Sequence, residues 1–140
     1  MATILESRHD LGLAVARVAV GIVFIAHGGQ KLFVFGPAGV GGFFASMGVP
    51  AAAFMGPFVG VVEFLGGIAL VTGLLARLAG LALFVDMMSA IAIVHFRNGF
   101  FLPKGYEFVF TLGLVSLAIA LAGAGGYSLD AAIARRRRAA

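Results

Sequence analysis

Four apolar stretches, at about 11–33, 51–75, 78–96 and 106–122, take up most of this chain. Each is near the ~20 residues that cross ~30 Å of hydrocarbon at 1.5 Å per residue. Inside a bilayer every backbone N–H and C=O must bond within the protein, which leaves helices or a closed barrel. Strict apolar–polar alternation is missing, which argues against a barrel. The reading is an all-α, multi-pass integral membrane four-helix bundle. Composition supports it: 61% of the 140 residues are hydrophobic and the mean hydropathy is +1.09, too apolar for a soluble domain of this size. The absence of cysteine excludes disulfides and thiolate-bound clusters.

The connections are legible. "GPAGVGGFFASMGVP" (36–50) reads as a Gly-rich loop, with Pro50 suited to a helix start. The link at 73–77 is so short that the second and third stretches form a tight antiparallel hairpin. "RNGFFLPKG" (97–105) is turn-rich, and in "GAGGYSLD" (123–130) Ser128 suits the cap of a short surface helix. Residues 1–10 are then a cytoplasmic N-terminus, 11–127 the membrane domain and 128–140 a basic cytoplasmic tail. No small-residue cleavage site closes a short apolar core, so a cleavable signal peptide is not expected.

Lys and Arg set the direction. With an even number of spans, one side collects Arg8, Arg77 and Arg135–Arg138, the other Lys31, Arg97 and Lys104, which favours both termini in the cytoplasm. The tetra-Arg run follows an apolar segment directly, so topology and anionic lipid explain it better than nucleic acid does. Gly56, Gly60 and Gly67 surround Glu63 with a bare backbone stripe that another helix can approach.

Within or beside the spans lie Arg17, His27, Lys31, Glu63, Asp86, His95 and Glu107. A charge at the bilayer centre costs at least ~2.5–3.5 kcal/mol, so these side chains are expected to face inward and pair. His27, Gln30 and Lys31 share one helix face. The expected partners are Glu107 for Lys31, Glu63 for His27 and Asp86 for Arg17, the last a buried ion pair. Asp86 and His95, nine residues apart on a regular helix, fall half a turn out of phase and are not expected to share a site. "FIAHGGQKLF" echoes "AIVHFRNGFF", and "VVEFLGGIALV" echoes "GYEFVFTLGLV", a weak two-plus-two internal repeat that would place a pseudo-twofold axis along the membrane normal.

In order and spacing, "ARVAVGIVFIAHGGQKLF", "GVVEFLGGIALVTGLLARLAG", "HFRNGFF", "GYEF" and "GGYSLD" resemble the DoxX family of small four-helix membrane proteins, over about Leu11 to Asp130. The resemblance implies a protein of the bacterial cytoplasmic (inner) membrane. The family takes its name from a small subunit of a thiosulfate:quinone oxidoreductase, so the resemblance also implies, loosely, a link to quinone or sulfur redox chemistry. It brings no catalytic set with it.

Three functions follow as expectations. The first is an accessory subunit of a quinone-linked oxidoreductase, not an enzyme on its own, with a polar pocket in the outer half of the bundle. There His27, Gln30, Lys31, Glu63, His95, Tyr106 and Glu107 would bind a quinone or other carbonyl amphiphile or relay protons. The second is an assembly subunit whose polar cluster only fixes helix register. The third is a small-molecule or proton-coupled carrier built on Glu63 and Asp86, for which four helices suffice only in a homo-oligomer. Bis-His haem ligation by His27 and His95 is allowed by depth, and zinc by those histidines with Glu63 or Glu107 by residue type. Membrane histidines more often bond to acids than to haem, and no spacing motif supports zinc, so no metal site is expected. His9 and Asp10 read as a solvated or interfacial helix start.

Overall fold

Every regular element among the described residues is helical. The structure, a computed structural model, describes residues 2–139, and the side chains of residues 6–139. Helix α1 (Ala2–Gly29) runs without a break into a π-helical turn over Gln30–Phe35, and α2 (Gly36–Ser46) follows. Then come α3 (Ala52–Thr72) and α4 (Ala76–Ala90). Helix α4 runs into a second π-helical turn, Ile91–His95, and a 3₁₀ turn, Phe96–Asn98. Helices α5 (Glu107–Ala122) and α6 (Leu129–Ala139) complete the order. Three stretches are long and apolar enough to cross a membrane: Glu6–Ser46, Ala52–Thr72 and Ala76–Asn98; α5 is apolar and shorter.

The segment read as a loop over 36–50 is helical through Ser46. Gly36 adopts φ +70°, a conformation that suits a residue without a Cβ, and ends the preceding turn there. Pro37 then sits at the start of α2, where its missing N–H costs nothing. Gly41 of α2 serves packing. A Cβ on Gly41 would stand 3.1 Å from Ala53 Cα, and one on Gly56 would stand 2.9 Å from Gly41 N and Val40 C. Helix α2 therefore lies flat on the first turns of α3.

The same rule governs the rest of the bundle. Lipid tails are as apolar as leucine, so small residues that admit close backbone approach decide which helices meet. Helix α1 meets α3 through Gly21, Gly28, Gly60 and Gly67: a Cβ on Gly67 would lie 2.7 Å from Gly21 O, and one on Gly28 2.7 Å from Gly60 O. Helix α4 meets α5 at Gly80, where a Cβ would lie 2.6 Å from Ser116 O. Between these pairs lies a core that includes Val20, Phe24, Leu70, Leu83, Met87, Leu112 and Ile119. Leu11, Val15, Val18 and Ile22 on α1, and Leu78, Leu81 and Val85 on α4, are exposed. Leucine and valine stripes on the outside of a helical bundle suit a hydrocarbon solvent.

At one end of the bundle the α3–α4 turn is held from the C-terminal segment. Gly73 (φ +67°) and Leu75 (φ +51°) reverse the chain. Asp130 accepts from Leu75 N (2.9 Å) and Ala76 N (3.2 Å), and its own N–H donates to Gly73 O (3.1 Å). It caps α4 from a helix far away in sequence. Ser128 Oγ accepts from Ala131 N at 3.1 Å, the cap expected for α6. Arg77 donates to Ala120 O and Leu121 O at the end of α5. Asp130→Ala is expected to cost about 1–2 kcal/mol, the loss of an N-cap serving two donors, read as a lower thermal midpoint in detergent. An unchanged midpoint would mean that water serves those N–H groups equally well.

Candidate functional site

The close approach at Gly28 and Gly60 has a direct consequence one turn further along α1. Lys31 follows Gly28 by three residues and Glu63 follows Gly60 by three, so both side chains enter the same seam. Lys31 Nζ donates to Glu63 Oε2 at 2.5 Å. The pair is well covered: the Lys31 side chain is 21% exposed and that of Glu63 6%. Lys31 thus pairs with Glu63, not with Glu107. Glu107 opens α5, where its Oε1 accepts from Leu102 N at 2.8 Å and ties down the 97–105 loop. His27 is not held by Glu63; it is exposed, with its ring centroid 6.1 Å from that of Phe108 on α5.

The ion pair borders a cavity of about 340 Å³. Its walls are mostly apolar, with aromatic faces from Phe24, Phe43, Phe44 and Phe108 and thioethers from Met47, Met55 and Met87. Its polar lining comes from His27, Lys31, Glu63, Asp86, Ser89 and His95. Asp86 Oδ2 is buried and has no hydrogen-bond partner among the described residues. Few polar groups in an apolar chamber of this size are the general make-up of a small-molecule site.

Asp86 and His95 line this cavity together, against the expectation from a regular helix. The cause is the π-helical turn over Ile91–His95. Its i→i+5 bonding underwinds the chain, so His95 rotates back toward the face of Asp86. A π-turn inside an apolar run leaves no mark in residue periodicity. His95 Nδ1 lies 3.3 Å from Lys104 O. A carbonyl only accepts, so that bond places the proton on Nδ1 and leaves Nε2 to accept in the neutral ring.

Arg17 and Asp86 do not pair. Asp86 lies ten residues beyond the start of α4, about 15 Å along the helix. Arg17 is 1% exposed and donates to Leu70 O (2.7 Å) and Tyr127 O (2.6 Å) at the opposite end of the bundle. Its charge closes the end of α3 and anchors the segment leading to α6. Tyr106 also stands apart from the cavity. It stacks on Phe96, with ring centroids 6.2 Å apart, and meets Phe100 edge-on at 5.3 Å. Gln30 is exposed and does not line the chamber. No three His, Asp or Glu side chains among the described residues converge in a way that could hold a metal ion.

Reading from sequence missed Phe43, Phe44, Met47 and Val49, which α2 and its C-terminal turn bring over the cavity. The sign available was "FFASMGV", too apolar for a solvated loop.

Residues 12–96 match the family model described as DoxX. The chain is 34% identical over 136 residues to an uncharacterised membrane protein of Mycobacterium tuberculosis, covering 88% of this chain and 82% of that one. It is 33% identical over 131 residues to the inner membrane protein YqjF of Escherichia coli, covering 90% and 95%. A Bacillus subtilis protein that carries the provisional name oxidoreductase CatD is 32% identical over 121 residues, 86% of each chain. No solved structure matches the chain with statistical significance.

Proposed function

The chain belongs to the DoxX family of membrane proteins, and from that premise we propose that it is an accessory subunit of a redox membrane system whose cavity binds a quinone-class amphiphile. The observation that carries this reading is the Lys31–Glu63 ion pair, set into a mostly apolar, aromatic-walled chamber of about 340 Å³. A quinone head group is a flat ring bearing two carbonyl oxygens. An ammonium has three donors, and only one of those on Lys31 goes to Glu63. The others suit a carbonyl oxygen, while Phe24, Phe43, Phe44 and Phe108 offer faces to the ring. His27 and Phe108 are both exposed and both border the cavity, so the tail has a sideways path between α1 and α5 into lipid. The name borne by the Bacillus relative supports the redox association.

In this reading α1, α3, α4 and α5 cross the bacterial inner membrane as a four-helix bundle. Both termini lie in the cytoplasm, on the side of the basic tail, and the cavity lies in the outer half. The α1–α3 and α4–α5 pairs would be the two halves of the repeat. The chain itself transfers no electrons; it holds the ligand for a partner enzyme.

Native mass spectrometry of protein released from mild detergent after incubation with decylubiquinone tests the binding. A retained adduct of one quinone per chain is expected, lost in Lys31→Met/Glu63→Leu. A chain that stays free of quinone at saturating concentration would overturn the reading.

Asp86 favours a second reading, a proton-coupled carrier, because a buried carboxylate oxygen without a partner is a place to load a proton or cation. Proton flux in proteoliposomes that disappears in Asp86→Asn would support it; a tight membrane would remove it.

A further inference from the structure

The opposite end of the bundle carries a second concavity, unrelated to the quinone reading. Helix α6 has two faces. Asp130, Ile133 and Arg137 follow one another at steps of three and four and share one side of the helix, and Arg138, about 100° further round, lines the same cleft from that side's edge. That side looks across a cleft of about 450 Å³ onto Leu74 and Leu75 at the α3–α4 turn. The cleft is built. Asp130 fixes α6 to the start of α4 through Leu75 N and Ala76 N, and Arg17, through Tyr127 O, fixes the segment before it.

The charges in the cleft are not equivalent. The Asp130 carboxylate already faces two backbone donors at a helix N-terminus, where a negative charge is favoured. Arg137 and Arg138 make no side-chain hydrogen bond or ion pair among the described residues, whereas Arg135 turns back toward Gly126 O at 3.5 Å. Two free guanidiniums above an apolar floor match one kind of molecule, with a phosphodiester at one end and hydrocarbon at the other. Guanidinium pairs phosphate in a fork that ammonium cannot reproduce. Leu74, Leu75 and Ile133 are exposed and continue the apolar surface of the bundle, so an acyl chain laid on them stays in hydrocarbon.

We propose that the cleft between α6 and the α3–α4 turn binds the phosphate headgroup of an anionic membrane lipid, with Arg137 and Arg138 as its ligands and Leu74, Leu75 and Ile133 under its acyl chain.

The test titrates the full chain in detergent with dioleoylphosphatidylglycerol, dioleoylphosphatidylcholine and inorganic phosphate separately, and counts adducts by native mass spectrometry. Phosphatidylglycerol is expected to bind at least about tenfold more tightly than phosphatidylcholine. Two arginines near an anionic headgroup are worth about thirtyfold in affinity, so Arg137→Gln/Arg138→Gln should lose most of that preference. Arg135→Gln/Arg136→Gln, outside the cleft and screened from its occupant by solvent, should change it by less than about threefold. Both changes are at exposed positions and leave the helix fold intact. Equal losses from the two pairs would show diffuse attraction to charge and overturn the site. Inorganic phosphate binding as tightly as the lipid, with the same dependence on Arg137 and Arg138, would assign the cleft to a free anion and overturn the lipid.

Discussion

Lys31→Ala is expected to destabilise the protein by about 3–5 kcal/mol, and Lys31→Met/Glu63→Leu to recover most of that loss. The first figure follows from leaving a buried carboxylate without its cation. Glu63 is 4% exposed, lies in the α1–α3 seam and has Lys31 Nζ at 2.5 Å. The second follows because two apolar side chains of similar volume replace a desolvated ion pair at little or no net cost. The comparison separates structure from binding. If the pair serves only to pack α1 on α3, the double variant should fold and bind quinone as the parent does. If the pair also holds a ligand carbonyl, the double variant should fold and lose quinone binding. Thermal midpoints of the three proteins in one detergent give the first answer and adduct counts the second. A double variant as unstable as Lys31→Ala would show that the seam needs charge for a reason other than pairing.

Two adjacent glycines should answer the same substitution in opposite ways. Gly28→Ala is expected to cost about 3 kcal/mol, near the top of the usual range for overpacking. Its Cβ would collide with the backbone N of Phe64 and lie 2.7 Å from Gly60 O. Neither atom belongs to a flexible side chain, so α1 and α3 must separate, and the Lys31–Glu63 contact lengthens with them. Gly29→Ala meets only side-chain rings, Phe64 at 3.6 Å and Phe33 at 3.9 Å, which is ordinary contact. Replacing glycine by alanine within a helix gains up to about 1 kcal/mol when space allows. Gly29→Ala should therefore be neutral or stabilising. Thermal midpoints measured side by side decide it. Equal effects would contradict the backbone approach between α1 and α3.

Residue chemistry alone made much of the architecture legible. Four long apolar runs set the number of candidate spans, and the bilayer's intolerance of open backbone made them helices. Gly73 and Ser128 marked a turn and a cap, which form where expected. Gly56, Gly60 and Gly67 marked a packing face, and all three lie against a neighbouring helix. Pairing was harder to read, because a charge announces that it needs a partner and does not say which. Sequence position points Lys31 to Glu107, and what pairs it with Glu63 instead is the close approach at Gly28 and Gly60, a tertiary fact. Arg17 was assigned a carboxylate, yet it satisfies the carbonyls of Leu70 and Tyr127. Helix ends offer such acceptors in any sequence. The rotation of His95 toward Asp86 depends on the bonding pattern of a single turn, which apolar residues do not encode individually. Glycine is a poor helix former in isolation, so by sequence Gly36 to Ser46 reads as a loop. In the protein one of those glycines, Gly41, lets α2 lie directly on α3.

The most direct test of the central claim is photolabelling with an azido-quinone, with adducts mapped to residues and competed by unlabelled decylubiquinone. Competed adducts are expected on the cavity lining, at Phe43, Phe44 and Met47 on one side and at Ser89, Ile93 and Val94 on the other. Labelling that resists competition, or that falls only on the outward-facing Phe33, Val34 and Phe35, would contradict it.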